Sequence, residues 1–140
     1  MFNNTSPEPS VWPVRVYYED TDAGGVVYYA NYLKFCERAR TERLRTLGID
    51  QRHLAAEHGI VFVVRHVEAD YLRGAELDDA LRVFTTVTDM RAASLKFEQH
   101  IQRDNERLFS ATITIACLDA RRWRATRIPD FLRTLLESEA

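Results

Sequence analysis

The rhythm of hydrophobic and polar positions changes several times along the chain. Val14 to Glu19 is β-branched and aromatic, which predicts a first strand entered after Pro13. Small and acidic residues follow from Asp20 to Val27, with Gly24-Gly25 at the centre, and predict a turn. From Tyr28 to Leu47 the spacing becomes helical. Leu33, Cys36, Leu44 and Leu47 form a stripe that Arg40 interrupts and that Tyr32, Phe35 and Ala39 widen. Lys34, Glu37, Arg38, Thr41, Glu42 and Arg45 occupy the other side, so this helix is wet on one face. Gly48 stops it.

Asp50 suits the cap of a second, shorter helix that reaches about Glu57 and closes at Gly59. Ile60 to Tyr71 returns to strand composition. Its opening Ile60-Val61-Phe62-Val63-Val64 is apolar on both faces, which predicts a central strand. Alternation predicts three more strands, at Leu81 to Met90, Ser94 to Gln102 and Leu108 to Leu118. Asp104-Asn105 marks a hairpin between the last two. Arg121 to Arg127 reads as irregular, and Pro129 opens a short C-terminal helix over 129–138.

One long helix followed by strands joined through tight turns predicts an α+β domain, a five-stranded antiparallel sheet with the helix on one face. The 140 residues are expected to form a single domain over 1–140, with 1–13 as a flexible lead. A single long helix covers only one sheet face. The Thr-rich faces of the third and fifth strands need water or another subunit, and pairing of an edge strand across two chains would extend the sheet, which predicts at least a homodimer.

Composition narrows the function classes. Hydrophobic content of 46% with 29% charged residues suits a soluble globular domain, and no apolar run approaches the length of a membrane span. A net charge of −2 gives no reason to expect nucleic acid as a partner, despite Arg121, Arg122, Arg124 and Arg127 around Trp123. Cys36 and Cys117 lack CxxC spacing and fall in apolar segments, which predicts buried thiols in a reducing compartment. Met1 to Pro13 lacks the form of a signal peptide, so the expected location is cytoplasmic. His53, His58, His66 and His100 lack metal-ligand spacing, and no metal is expected.

The candidate chemistry lies at the first strand-to-helix junction. Asp22 precedes a helix whose first N–H groups have no partner within the helix. A carboxylate beside such donors suits acyl chemistry, and it also suits an ordinary turn aspartate.

The segment Tyr17-Tyr18-Glu19-Asp20-Thr21-Asp22-Ala23-Gly24-Gly25-Val26-Val27-Tyr28, with Asn31-Tyr32 and Glu37-Arg38-Ala39-Arg40-Thr41-Glu42, resembles the hot-dog-fold acyl-CoA thioesterases. The similarity is to the YbgC type, associated with the bacterial Tol–Pal envelope system and related to 4-hydroxybenzoyl-CoA thioesterase. It extends through Phe62-Val63-Val64-Arg65, Leu77-Asp78-Asp79 and Met90-Arg91-Ala92-Ala93-Ser94-Leu95. The resemblance implies a sheet wrapped around the long helix, dimers joined edge to edge and often paired into homotetramers, and an active site between subunits. It implies Asp22 as the catalytic carboxylate and the backbone N–H of Tyr29 as the group that polarises the thioester carbonyl. Gly25, Arg91, Ser94 and Arg124 are the implied substrate contacts. The implied substrates are short-chain or aryl acyl-CoA, or acyl-carrier-protein thioesters, with no cofactor beyond the coenzyme A of the substrate. Many YbgC-type sequences carry His immediately before the Ala of this motif, whereas Tyr29 stands there in this chain, as in the 4-hydroxybenzoyl-CoA relatives. The alternative is a non-catalytic binding subunit of an envelope or lipid-synthesis complex, which would have no need of the intact Asp22 motif. An enoyl-CoA hydratase of the same fold is disfavoured, since no His lies near Asp22 in the sequence.

Overall fold

The structure, a computed structural model, describes residues 9–137. The helical pattern forms α1, Tyr29–Thr46, which buries Tyr32, Phe35, Cys36, Ala39 and Leu44. Leu33 and Leu47 pack only at the border of that stripe. Arg40, expected to interrupt it, is buried within it. Past α1, Gly48 takes φ +87°, the left-handed geometry that turns the chain away. In α2, Gln51–His58, the Asp50 carboxylate accepts from the N–H groups of Arg52 and His53, and Gly59 closes the helix in the left-handed region.

The strands are β1 (Ser10–Arg15), β2 (Ile60–Tyr71), β3 (Ala80–Met90), β4 (Ser94–Arg103), β5 (Glu106–Asp119) and the short β6 (Arg124–Ala125). They pair antiparallel in the order β1-β3-β4-β5-β2, with β6 beside the end of β5. The α+β class and the antiparallel sheet are as expected, and β6 is an addition within the stretch expected to be irregular. Rows of side chains cross the face that packs on α1. One row is Val83, Ile101, Phe109 and Tyr71, and another is Val87, Phe97, Ile113 and Val67. α3, Asp130–Glu137, adds Leu132 and Leu136 to the same core. Full burial of each such apolar side chain contributes roughly 1.5–3 kcal/mol.

Two expectations need correction. The first strand is β1, Ser10–Arg15, and not Val14 to Glu19. Residues 10–13 of the expected lead are thus paired with β3, and the lead up to residue 8 lies outside the described residues. Tyr17 and Tyr18 leave the sheet and are 62% and 80% exposed. The reason is local: the Asp20 carboxylate accepts from the Tyr17 N–H, and Tyr18–Asp20 closes into a 3-10 turn that competes with extended pairing. Pro13 is tolerated inside β1 because β1 is an edge strand.

The second correction concerns β2. It lies at the opposite edge of the sheet and pairs with β5 alone. Its doubly apolar run ends in Val64, 50% exposed, and Val67 further along is 36% exposed. Such a run fits any strand with apolar neighbours on both faces, so composition did not reveal that one edge was bare.

Candidate active site

Asp22 sits on the loop between the 3-10 turn and α1. Its Oδ1 accepts from the Gly24 N–H at 2.8 Å, and its own N–H donates to the Val26 carbonyl at 2.9 Å. Among the described residues nothing binds Oδ2, and Asp22 is exposed. Both glycines serve this turn. A side chain on Gly24 would begin 3.2 Å from Asp22 Oδ1, and Gly25 has φ +84°. Gly25 also faces open space, as a substrate contact requires.

The loop is tied to the start of α1. The Asp20 carbonyl accepts from the Tyr28 N–H at 2.9 Å and from Asn31 Nδ2 at 2.8 Å. Tyr28, the residue before α1, offers no side-chain cap. Among the described residues the Tyr29 N–H has no acceptor, so it is a free donor at the positive end of the helix dipole. A carboxylate oxygen and a helix N-terminal amide, each without a partner among the described residues, therefore stand on the two sides of one loop–helix junction.

A second segment, between β2 and β3, braces the junction from below. The Ala75 carbonyl accepts from the Val27 N–H at 2.8 Å, and the Ala75 N–H donates to the Tyr32 hydroxyl at 2.9 Å. The same hydroxyl donates to the Arg73 carbonyl at 3.2 Å. Arg103 fixes this brace through ion pairs of 2.8 Å to Asp79 and 2.7 Å to Glu106. Burial works against the Asp79 carboxylate, but the Glu76 N–H and Arg103 outweigh it and hold its pKa below the ordinary value.

Aromatic rings lead from this mouth into the core. Tyr29 and Tyr71 meet edge-on at 5.8 Å, and Tyr71 and Tyr32 both contact the buried Phe109. The Tyr28 ring lies 4.9 Å from that of Tyr29, and the neighbouring Tyr29 first, then burial and Asp22, raise the pKa of the Tyr28 hydroxyl.

Of the implied coenzyme A contacts, Arg91 and Ser94 line one cleft of about 250 Å³ with Arg65, Asp89, Lys96 and Thr114. Arg124 does not line it; it lies on β6 opposite Asp119. Cys36 and Cys117 are both buried, and burial pushes their thiols up to about 12 and about 11, which disqualifies them as nucleophiles. Among the described residues no group of His, Cys, Asp or Glu side chains could hold a metal ion. Sequence reasoning passed over the Tyr32 hydroxyl and Arg103. Tyr32 was legible only as a core residue, and no spacing links Arg103 to Asp79.

Residues 16–136 match the model of the thioesterase-like superfamily. An acyl-CoA thioesterase YbgC of Haemophilus influenzae is 49% identical over 118 residues, covering 84% of this chain and 87% of that protein. The chain belongs to the YbgC family of thioesterases. An acyl-CoA thioester hydrolase YbgC of Escherichia coli is 48% identical and covers 84% of this chain and 88% of its own. A solved structure of a probable thioesterase from Bartonella henselae superposes with TM-score 0.82 at 36% identity, covering 86% of this chain and 99% of that one. The match over residues 16–136 spans the Asp22 loop, α1 and every strand except β1, and the sheet around α1 is the hot-dog fold.

Proposed function

We propose that the protein hydrolyses acyl-CoA thioesters, with Asp22 as nucleophile or general base and the Tyr29 backbone N–H polarising the carbonyl. The observation that carries this reading is the pairing of a pinned carboxylate, whose Oδ2 is free, with the open N-terminus of α1. A thioester carbonyl is electrophilic enough for an ionised carboxylate to attack. In that route Asp22 adds to the carbonyl carbon, the C–S bond breaks, and the thiolate leaves and takes a proton from water. Water then hydrolyses the mixed anhydride. In the other route Asp22 takes a proton from the attacking water. Both develop an oxyanion that the Tyr29 N–H stabilises, and one such donor is worth roughly 3–4 kcal/mol in other hydrolases.

Gly25 leaves room for the thioester arm, while Arg91 and Ser94 receive the coenzyme A phosphates together with Arg65 and Lys96. Arg124 contributes from β6 at longer range. The acyl group is short-chain or aryl, carried by coenzyme A or an acyl carrier protein, and no cofactor is needed. The chain works as a homodimer joined at the β2 edge, where Val64 and Val67 are exposed, and two dimers pair into a homotetramer. No helix among the described residues is long and apolar enough to cross a membrane. The reading places the enzyme in the cytoplasm, associated with the Tol–Pal system.

The test is release of free thiol from a panel of acyl-CoAs, wild type against Asp22→Asn. Asparagine can still accept from Gly24, so the fold is retained. Turnover should fall by about a hundredfold or more. Hydrolysis at wild-type rate by the variant sinks the role of Asp22, and no hydrolysis of any thioester by the wild type sinks the activity.

A further inference from the structure

Arg40 has no part in the mechanism above. It is a cation with only 7% of its surface exposed, and among the described residues no carboxylate pairs with it. Only Nη1 is engaged, donating to Gln99 Oε1 at 2.9 Å. Gln99 is itself used up, since its amide donates to the Cys36 carbonyl and to the Thr85 hydroxyl. The remaining N–H donors of the guanidinium meet no acceptor. They are not sealed in either, because Arg133 Nε is the sole buried side-chain nitrogen or oxygen without a partner among the described residues. A buried arginine with spare donors is expensive to keep unless something accepts from them.

The spare donors face open space. Two cavities, of about 290 and 160 Å³, lie between α1 and the inner face of β2. Both are lined by Glu37, Arg40 and Val64, so they adjoin as one groove. The groove begins at Leu33, one turn below the Tyr29 amide, and ends among Leu44, Phe62 and Phe97. At the helical rise of 1.5 Å per residue, Arg40 lies roughly 16 Å along α1 from Tyr29. The walls are otherwise apolar except for Lys34 and Glu37 at the rim and Thr41 and Gln51 deeper in. Glu37 is bonded to Thr41 and does not form an ion pair with Arg40.

We propose that Arg40 is a specificity-determining residue, the polar end of an acyl groove that selects acyl groups whose far end carries a hydrogen-bond-accepting oxygen. A terminal carboxylate or a terminal hydroxyl meets the same guanidinium donors. The hydroxyl could in addition donate to Glu37. This rests on the thioesterase reading, and it adds a substrate class to that reading. A site with a buried donor set rejects an analogue that leaves those donors unpaired much more strongly than it rejects a change of chain length.

The experiment measures kcat/KM for matched thioesters that differ only at the far end. Hexanoyl-, octanoyl- and lauroyl-CoA are compared with their terminal carboxylate and terminal hydroxyl counterparts. At the length that reaches Arg40, one oxygenated member should be favoured roughly ten- to hundredfold over the plain acyl-CoA. The carboxylate and hydroxyl arms identify which oxygen the groove takes. Arg40→Met should remove that preference, read as the ratio of kcat/KM for the oxygenated and plain substrates within the one variant. Should Arg40→Met fail to fold, Arg40→Lys, which keeps the charge but loses the fork, should shrink the preference. Equal kcat/KM for plain and oxygenated substrates at every length in the wild type overturns the proposal. Unchanged preference in a folded Arg40 variant overturns it too. Hydrolysis of the plain acyl-CoAs in the same assay keeps either failure separate from a failure of the thioesterase reading.

Discussion

The Tyr32 hydroxyl lies 2.9 Å from the Ala75 amide nitrogen, and this contact helps join α1 to the segment beneath the Asp22 loop. Ala75 in turn holds Val27 through its carbonyl, so the helix, the brace and the loop are fixed as a unit. Tyr32→Phe leaves the buried Ala75 N–H without a partner. The expected cost is about 1–3 kcal/mol of stability. Turnover should fall as well, because the loop loses a support on the side that faces α1. Thermal unfolding and kcat/KM measured on the same preparation check both. A variant with unaltered melting temperature and turnover would show that the brace is dispensable.

The two glycines of the loop should respond differently to alanine. At Gly25 the backbone has φ +84°, so alanine is strained by about 1–2 kcal/mol although nothing crowds its Cβ. At Gly24 the backbone is unstrained but the new methyl starts 3.2 Å from Asp22 Oδ1. Gly24→Ala should therefore lower kcat with a small change in melting temperature, while Gly25→Ala should lower both. Melting curves beside initial rates for the two variants discriminate these outcomes.

His100 should weaken the fold on the acid side. Burial first, and then the Arg107 charge, push its pKa down to about 4 from the ordinary 6.5. The ring stacks on Phe84 at 4.5 Å and pairs with Gln102 at 3.2 Å. Because the folded protein resists protonation there, its contribution is intact above the unfolded value. It is lost as pH falls from about 6.5 towards 4, where the unfolded chain takes up a proton and the folded one does not. Chemical denaturation across that window should show a steeper acid loss for the wild type than for His100→Gln. Parallel curves would remove His100 as the cause.

Arg103→Met should destabilise by roughly 1–3 kcal/mol, since it strips Asp79 and Glu106 of a partner that is only 27% exposed. The paired Asp79 has a lowered pKa, so its contribution is present above the ordinary aspartate range and disappears only below it. The wild type should thus lose this part of its stability at lower pH than the part due to His100. A denaturation series of Arg103→Met with an unchanged midpoint at neutral pH counts against the pair.

Local rules determined much of this protein from sequence alone. Periodicity set α1 and the long strands to within a residue or two, because the spacing of apolar residues dictates which face is buried. Gly48, Asp50 and Gly59 acted through their own backbone and side-chain chemistry, so their roles needed no distant partner. The Asp22 motif was likewise continuous in sequence, which is why its resemblance to the thioesterases could be seen. What depends on residues far apart was decided by the tertiary structure. β2 became an edge because no further strand lies beyond it among the described residues. The brace through Tyr32, Ala75 and Arg103, and the buried Arg40 above Gln99, pair residues dozens of positions apart. Patterning specifies which residues are buried; only packing specifies which of them meet.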